Sequence, residues 1–383
     1  MNLKSKCSFL FYVVICFSSC SEKKVSEQNV FLTISDRKEF IIGEGGPTPE
    51  PIYFVSLDSS QSKGVIFNSY AHSLDSIFLS SDSAWIKDGD ILDTEGPYGV
   101  GNVFSFFTTK DHIVFMNSQQ FFNQHRQTRE VSMKFMHEYG IFGEEEFTAI
   151  SVPLFKNVSH EFNGIDINSG VGYFVYDNDK KIRVVGYDSK LDSMYFLPVS
   201  LDSINYFLLR FKVRANNLIM GGNDEPQLSV VGNRLLVSYP SFSDILVYNL
   251  ESENYQVFTS TSNSFPSKKT LPQNYADEVD SFELLDELEK SWRGQVRYGP
   301  MIFLKDLNKF VRLVKGEGGK DSNYFLEVFD VDFQKIEEFN LTGLNPDLSP
   351  NYLNTKYGLM FRAKDQPGED VMYYYYVNLT DSK

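Results

Sequence analysis

Apolar and polar positions alternate along this chain in short bursts that return every few tens of residues. The clearest burst spans residues 234–258. Arg234 to Tyr239 predicts a strand, Pro240 to Asp244 a turn, Asp244 to Leu250 a second strand, Glu251 to Asn254 another turn, and Tyr255 to Phe258 a third strand. Apolar and aromatic runs joined by short polar connections describe an antiparallel meander. Diverged copies recur. One joins Gly172 to Tyr176, Lys181 to Tyr187 and Met194 to Leu197; another joins Lys309 to Val314, Tyr324 to Phe329 and Phe333 to Ile336. Weaker copies pair Ser76 to Leu79 with Ala84 to Ile86, Ile113 to Met116 with Phe121 and Phe122, and Gly358 to Phe361 with Val371 to Leu379.

Many of these strands are continuous apolar runs, not strict alternations, which means that both faces of each sheet are covered. Small sheets packed radially between two neighbours meet that condition, so the expected fold class is all-β, a β-propeller. The units number six, and the poorly periodic region 144–168 leaves room for a seventh. Val30 to Ile34 is a lone strand that can complete the sheet holding Val371 to Leu379 and so close the ring; the alternative makes both of them edge strands of separate domains. One short helical insertion interrupts the repeats. Residues 260–273 are rich in Ser, Pro and Lys, and residues 277–290 carry Val279, Phe282, Leu285 and Leu288 near helical spacing, with acids in the first turn. Such an insertion is expected on a rim, covering or flanking the central opening.

The 383 residues are 15% aromatic, with 34 Phe and 22 Tyr, and only 23% charged, which suits a large strand-rich protein. The formal net charge of −15 argues against nucleic acid, whose binding needs clustered Lys and Arg. Arg210, Lys212 and Arg214 alternate along one run and read as a solvated strand face.

The N-terminus changes the picture of location. Lys4 and Lys6 precede an apolar stretch from Phe9 to Phe17, too short for a membrane span, so residues 1–19 read as an export signal. Phe17-Ser18-Ser19-Cys20 resembles the bacterial lipobox, with Phe17 where that motif prefers Leu. Cys20 is then the lipidated residue, anchored stably by two acyl chains. Ser21 resembles the residue that sorts such proteins to the outer membrane, residues 20–29 form a tether, and residues 30–383 form the propeller. The three Cys are Cys7, Cys16 and Cys20, so no disulfide, Cys nucleophile or Cys-ligated metal is available to the folded part.

Two further stretches resemble a family of uncharacterised bacterial lipoproteins built on six-bladed, TolB-like propellers. Glu95-Gly96-Pro97-Tyr98-Gly99-Val100 precedes the aromatic run Phe104 to Phe107 and the strand entry Asp111 to Ile113, with an Asp75-Ser76-Ile77 copy upstream. Tyr298 to Asp306 continues to Phe310, Val311 and Arg312. The resemblance implies the fold and the anchor but no activity, because that family has no agreed one.

Candidate chemistry is sparse. His137-Glu138 and His160-Glu161 lack the second His that a zinc-binding helix needs, and no nucleophile elbow or phosphate-cradling loop occurs. Gly43 to Gly46 and Gly316 to Gly319 read as turns. Asp88, Asp90, Asp93 and Glu95 offer hard oxygens but match no calcium-loop spacing and read as solvated acids. Asp-Ser-apolar triplets at Asp75, Asp82, Asp192 and Asp202 resemble O-glycosylation acceptors and are also natural strand entries. His72, Trp292, Arg293 and Arg312 are the ligand-binding candidates, an aromatic face and cations suited to a sugar or peptide. No catalytic residue, metal ligand or cofactor is assigned. The expected role is a non-catalytic, lipid-anchored envelope module that binds a protein, peptide or glycan. The alternative is a propeller enzyme, a metal-dependent lactonase or a glycan-cleaving one, whose carboxylates and His converge on the axis from distant units.

Overall fold

The computed structural model describes residues 30–42, 55–103, 105–117, 119–142, 164–166, 168–177, 182–201, 212–213, 224, 226–273, 275–276, 278–279, 281–319, 322–368 and 370–381. The signal, Cys20, the tether, Gly43 to Gly46, His160-Glu161 and Asp202 to Ile204 lie outside the described residues, as does most of the region 144–168.

Strands dominate the fold. A four-stranded antiparallel sheet contains Gln227–Val231, Arg234–Tyr239, Phe242–Asn249 and Tyr255–Phe258 in sequence order. The same order recurs in Ser105–Thr108, His112–Met116, Gln120–His125 and Val131–Phe135, and again in Ile165–Asp166, Val171–Asp177, Ile182–Asp188 and Ser193–Ser200. A fourth sheet holds Arg297–Tyr298 and Ile302–Leu304, both on one edge of Lys309–Lys315, then Tyr324–Phe329 and Lys335–Asn340. The remaining meanders are Val55–Leu57, Lys63–Asn68, Ser73–Leu79 and Ala84–Ile91, and Leu348–Thr355, Gly358–Ala363 and Val371–Asp381. Each expected unit therefore gains at least one strand, and the third strand of the 227–258 meander, expected from Asp244, starts at Phe242 after a two-residue turn at Pro240 and Ser241. The strand expected from Phe333 starts at Lys335, because Phe333 adopts φ 61° in the turn before it.

The two ends of the described chain meet in one sheet. Val30–Ile34 pairs antiparallel with the C-terminal half of Val371–Asp381, from Val30 opposite Asp381 to Ile34 opposite Val377. Lys38–Ile41 then pairs with the N-terminal half of that strand, and on its other side runs parallel to Ala84–Ile91, with Phe40 opposite Ala84. This satisfies an edge that would otherwise template aggregation and joins the first meander to the last.

The core is divided between neighbouring sheets. Phe67 and Leu92 pack with Phe106, Phe115 and Phe122; Phe107 and Phe121 with Phe174, Tyr187 and Met194; Val175 and Val184 with Leu235, Val237 and Tyr248. Leu236 and Val247 pack with Phe310 and Phe329, Val311 and Leu326 with Tyr352 and Phe361, and Met360 and Tyr374 with Phe40, Ile66 and Ile77. The consecutive residues Leu235, Leu236 and Val237 are all fully buried and feed two different clusters, which is why the strands read as unbroken apolar runs. Burying a side chain of this size contributes about 1.5–3 kcal/mol.

The insertion folds as Phe282–Arg293, capped by Ser281, whose hydroxyl accepts from the Leu284 N–H. Its buried face is Leu285, Leu288 and Trp292, packed on Val279; Phe282, expected on that face, is 47% exposed. Among the described residues no helix is long and apolar enough to cross a membrane.

Candidate functional site

A cavity of about 440 Å³ lies where the first strands of the meanders come together. Its wall takes Ser56 and Leu57 from one meander, Phe107 and Thr108 from the next, Ile165 and Asp166, Ser229 and Val230, Met301 and Phe303, and Leu353 and Asn354 from the others. Side-chain and backbone hydrogen bonds close the seams between these strands. The Ser56 and Thr108 hydroxyls are 2.8 Å apart, the Ser229 hydroxyl donates to the Met301 carbonyl at 2.6 Å, and the Lys356 N–H donates to the Gln61 carbonyl at 3.0 Å across the junction of first and last meanders. The small hydroxyl residues spend their polarity on the wall itself. What faces the space is a mixed apolar and amide lining whose ionisable members are Asp58, Asp166 and Lys305. Pockets of this size and mixed lining suit small ligands.

A family model, Domain of unknown function (DUF4221), matches residues 26–340. The chain belongs to the DUF4221 family. Its fold resembles that of a DUF4221 member from Bacteroides vulgatus, 12% identical, with a TM-score of 0.61 over 93% of this chain and 100% of that one. It also resembles a protein of Bacteroides fragilis thought to be exported, 9% identical, with a TM-score of 0.50 over 91% and 95% of the two chains. Comparison with curated proteins gives no match. At such identities the likeness concerns the fold alone.

None of the four residues singled out in the sequence lines the DUF4221 cavity. Arg312 is fully buried: its Nε and Nη2 donate to Glu327 Oε2 at 2.8 and 2.6 Å, its Nη1 donates to the Ser243 carbonyl at 2.8 Å, and it lies 4.7 Å from the Tyr298 ring centre. Ser260 donates to the other oxygen of Glu327, and Lys335 sits 3.4 Å from it. The guanidinium, bonded through all three of its nitrogens, braces two sheets away from the cavity.

Trp292 is also buried. Its indole N–H donates to Asp224 Oδ2 at 2.8 Å, the same oxygen that accepts from Lys269 Nζ at 2.6 Å and Ser241 Oγ at 3.0 Å. Lys269 lies 4.3 Å from the indole centre, and burial pulls its ammonium down to about 8 against the opposing pull of Asp224. This network holds the helix and the 260–273 segment to the sheet, and no residue of the insertion lines the cavity. Arg293, next in sequence, is exposed and pairs with Glu289 at 2.5 Å within its own helix. His72 belongs to the turn before Ser73–Leu79, at φ 51°, with its ring edge-on to Phe67 at 5.5 Å. Trp292, through Asp224, and Arg312 thus both belong to buried networks that reach the Ser241 to Ser243 stretch, while His72 lies in a different sheet.

The acids divide similarly. Asp90 forms an ion pair with Arg129, and among the described residues no group of three or more His, Cys, Asp or Glu side chains is gathered as a metal site would require. Asp75, in one Asp-Ser-apolar triplet, is buried and accepts from Ser73 Oγ, Asn68 Nδ2 and the Gly89 N–H. Gly89 is required there, since a Cβ would come within 1.6 Å of the Leu74 carbonyl oxygen. Asp192, in another triplet, accepts from Tyr139, Tyr187, Ser132 and Lys134, which hold its carboxyl below the usual range despite burial.

Most lining residues escaped sequence reasoning because they sit on short strands; Phe106, Phe107, Met301, Phe303 and Lys305 fall in stretches noted for a family resemblance but not as site residues. One signal was available. Each recognised meander is preceded by a few residues mixing small polar and apolar types, such as Gln227–Val231 ahead of Arg234.

Proposed function

We propose that this protein is a lipid-anchored, six-bladed propeller of the cell envelope that works as a non-catalytic binding module, with the central cavity as its ligand site. The meanders of 55–91, 105–135, 165–200, 227–258, 297–340 and 348–381 are counted as the blades, and Val30–Ile34 and Lys38–Ile41 as the closing strands. One observation carries the reading: a cavity of about 440 Å³ is bounded by the first strand of every meander and lined mostly by apolar, hydroxyl and amide groups. Such a lining orients a ligand through a few polar contacts while apolar surface supplies affinity.

The test is thermal denaturation of the mature chain in the presence of peptide and glycan fractions from a Gram-negative envelope. A ligand at a hundred times its Kd stabilises by about 2.7 kcal/mol. Stabilisation of the wild type that disappears in Ser59→Trp and Asn168→Trp, which add bulk at exposed lining positions, is the expected result. Equal stabilisation of wild type and variants would remove the cavity from the reading.

Anchoring rests on Phe17 to Cys20. Cys20→Ser is expected to abolish incorporation of labelled palmitate and to release the protein from the membrane fraction; unchanged fractionation would refute the anchor.

A further inference from the structure

The ionisable groups of the cavity are placed with a direction. Each first strand contributes residues at or near its C-terminal end: Val55–Leu57 leads to Asp58, Ile165–Asp166 ends on Asp166, and Ile302–Leu304 leads to Lys305. The three ionisable lining residues thus share one position, the end of a first strand, while the apolar part of the wall includes Leu57, Phe107, Val230, Met301, Phe303 and Leu353. Asp58 and Asp166 are each turned by their own loops. Oδ1 of Asp58 accepts from the Ser60 N–H and hydroxyl, and Oδ1 of Asp166 accepts from the N–H groups of Asn168 and Ser169. These bonds orient both carboxylates at the rim.

We infer that the cavity takes a short apolar peptide with free ends, its ammonium group held by Asp58 and Asp166, its carboxylate by Lys305 and its apolar side chains against the wall. This rests on the cavity being the binding site. A neutral glycan would leave two carboxylates and an ammonium of the lining without counter-charges, whereas a zwitterionic peptide complements all three groups. The two-to-one excess of carboxylates also makes the amino end the more tightly held.

The probe is an unblocked trileucine peptide, compared by calorimetry with its N-acetylated form, its C-terminal amide and a neutral trisaccharide, on the mature chain. Loss of one charged hydrogen-bonding partner weakens binding by about tenfold. Acetylation is expected to weaken binding by at least that factor, amidation by less. The double variant Asp58→Asn/Asp166→Asn should weaken the free peptide to the level of the acetylated one without further weakening the latter. Lys305→Gln should affect only peptides with a free carboxylate. Equal affinity for free and acetylated peptides, or an unaltered response in the double variant, would overturn the inference. Trisaccharide binding without peptide binding would overturn it while leaving the cavity as a ligand site. Binding of none of the probes, with no envelope fraction stabilising the wild type, would fell both.

Discussion

Breaking the Arg312–Glu327 pair provides a sharp test of how the sheets are braced. Both side chains are fully buried, joined by two hydrogen bonds at 2.6 and 2.8 Å, and tied to neighbouring segments through the Ser243 carbonyl and the Ser260 hydroxyl. In Glu327→Gln the guanidinium keeps an acceptor but loses its counter-charge, with aromatic rings at 4.7 and 5.3 Å. Removing one partner of a buried pair costs about 3–5 kcal/mol, because the other charge is stranded away from water. Arg312→Met leaves Glu327 with Ser260 and the part-exposed Lys335, so its expected cost lies at the lower end of that range. The double variant Arg312→Met/Glu327→Leu strands neither charge and is expected to be more stable than either single variant. Urea titration followed by tryptophan and tyrosine fluorescence gives all three numbers, provided the transitions remain cooperative. Single variants costing under about 1 kcal/mol would mean that water screens the pair as at a surface, and the bracing argument would fail.

Two further outcomes are expected. Burial holds the Lys269 ammonium at about 8, below its ordinary 10.5, so between those values the unfolded chain keeps a proton that the native one has released. Native stability gains from this residue as pH rises through that window, while below about 8 the full cost of the buried charge is present. The stability of wild type relative to Lys269→Met should therefore increase between about pH 8 and 10, and a flat difference would contradict it. Phe40 is fully buried where the first and last meanders join, so Phe40→Ala should cost about 3–5 kcal/mol in chemical denaturation. A cost no larger than that of an exposed substitution such as Phe31→Ala would show that the parallel strand contributes nothing to the closure.

The middle strands of each meander were legible because their sequences have no polar phase. Val311, Val314, Leu326 and Val328 are covered on whichever face they point to, so the run itself announces the strand. First and last strands obey different physics. Val55–Leu57 and Ile165–Asp166 border a cavity and are two or three residues long, leaving no room for a period to declare itself. Val131–Phe135 and Lys335–Asn340 have only half-buried or exposed side chains, so Lys134 disguises the first as a loop and Glu337 and Glu338 hide how far the second runs past Ile336. The helix was legible, with Leu285 and Leu288 buried as their spacing predicts. It starts later than expected, because the brief Glu278–Val279 strand and the Ser281 cap precede it, so Phe282 opens the first turn exposed while Trp292 extends the buried face.

The site was harder to read for a reason that follows from the architecture. Chemical salience in a sequence belongs to large, charged and aromatic residues, and here those residues are recruited to the interior, Arg312 within a sheet and Trp292 and Lys269 where the insertion packs on one. The cavity is instead the place where neighbouring sheets leave space between them, and space is left by small or short side chains such as Ser56, Thr108 and Ser229. Those three residues are separated by tens to more than a hundred positions in the chain and share no motif; what brings two of them within 2.8 Å, and the third against the Met301 carbonyl, is that each lies on the first strand of its meander. Convergence is therefore a property of the repeat. In a chain built this way, the residues to compare with one another are those at the ends of successive first strands, Asp58, Asp166 and Lys305 among them, and not those that stand out within any single unit.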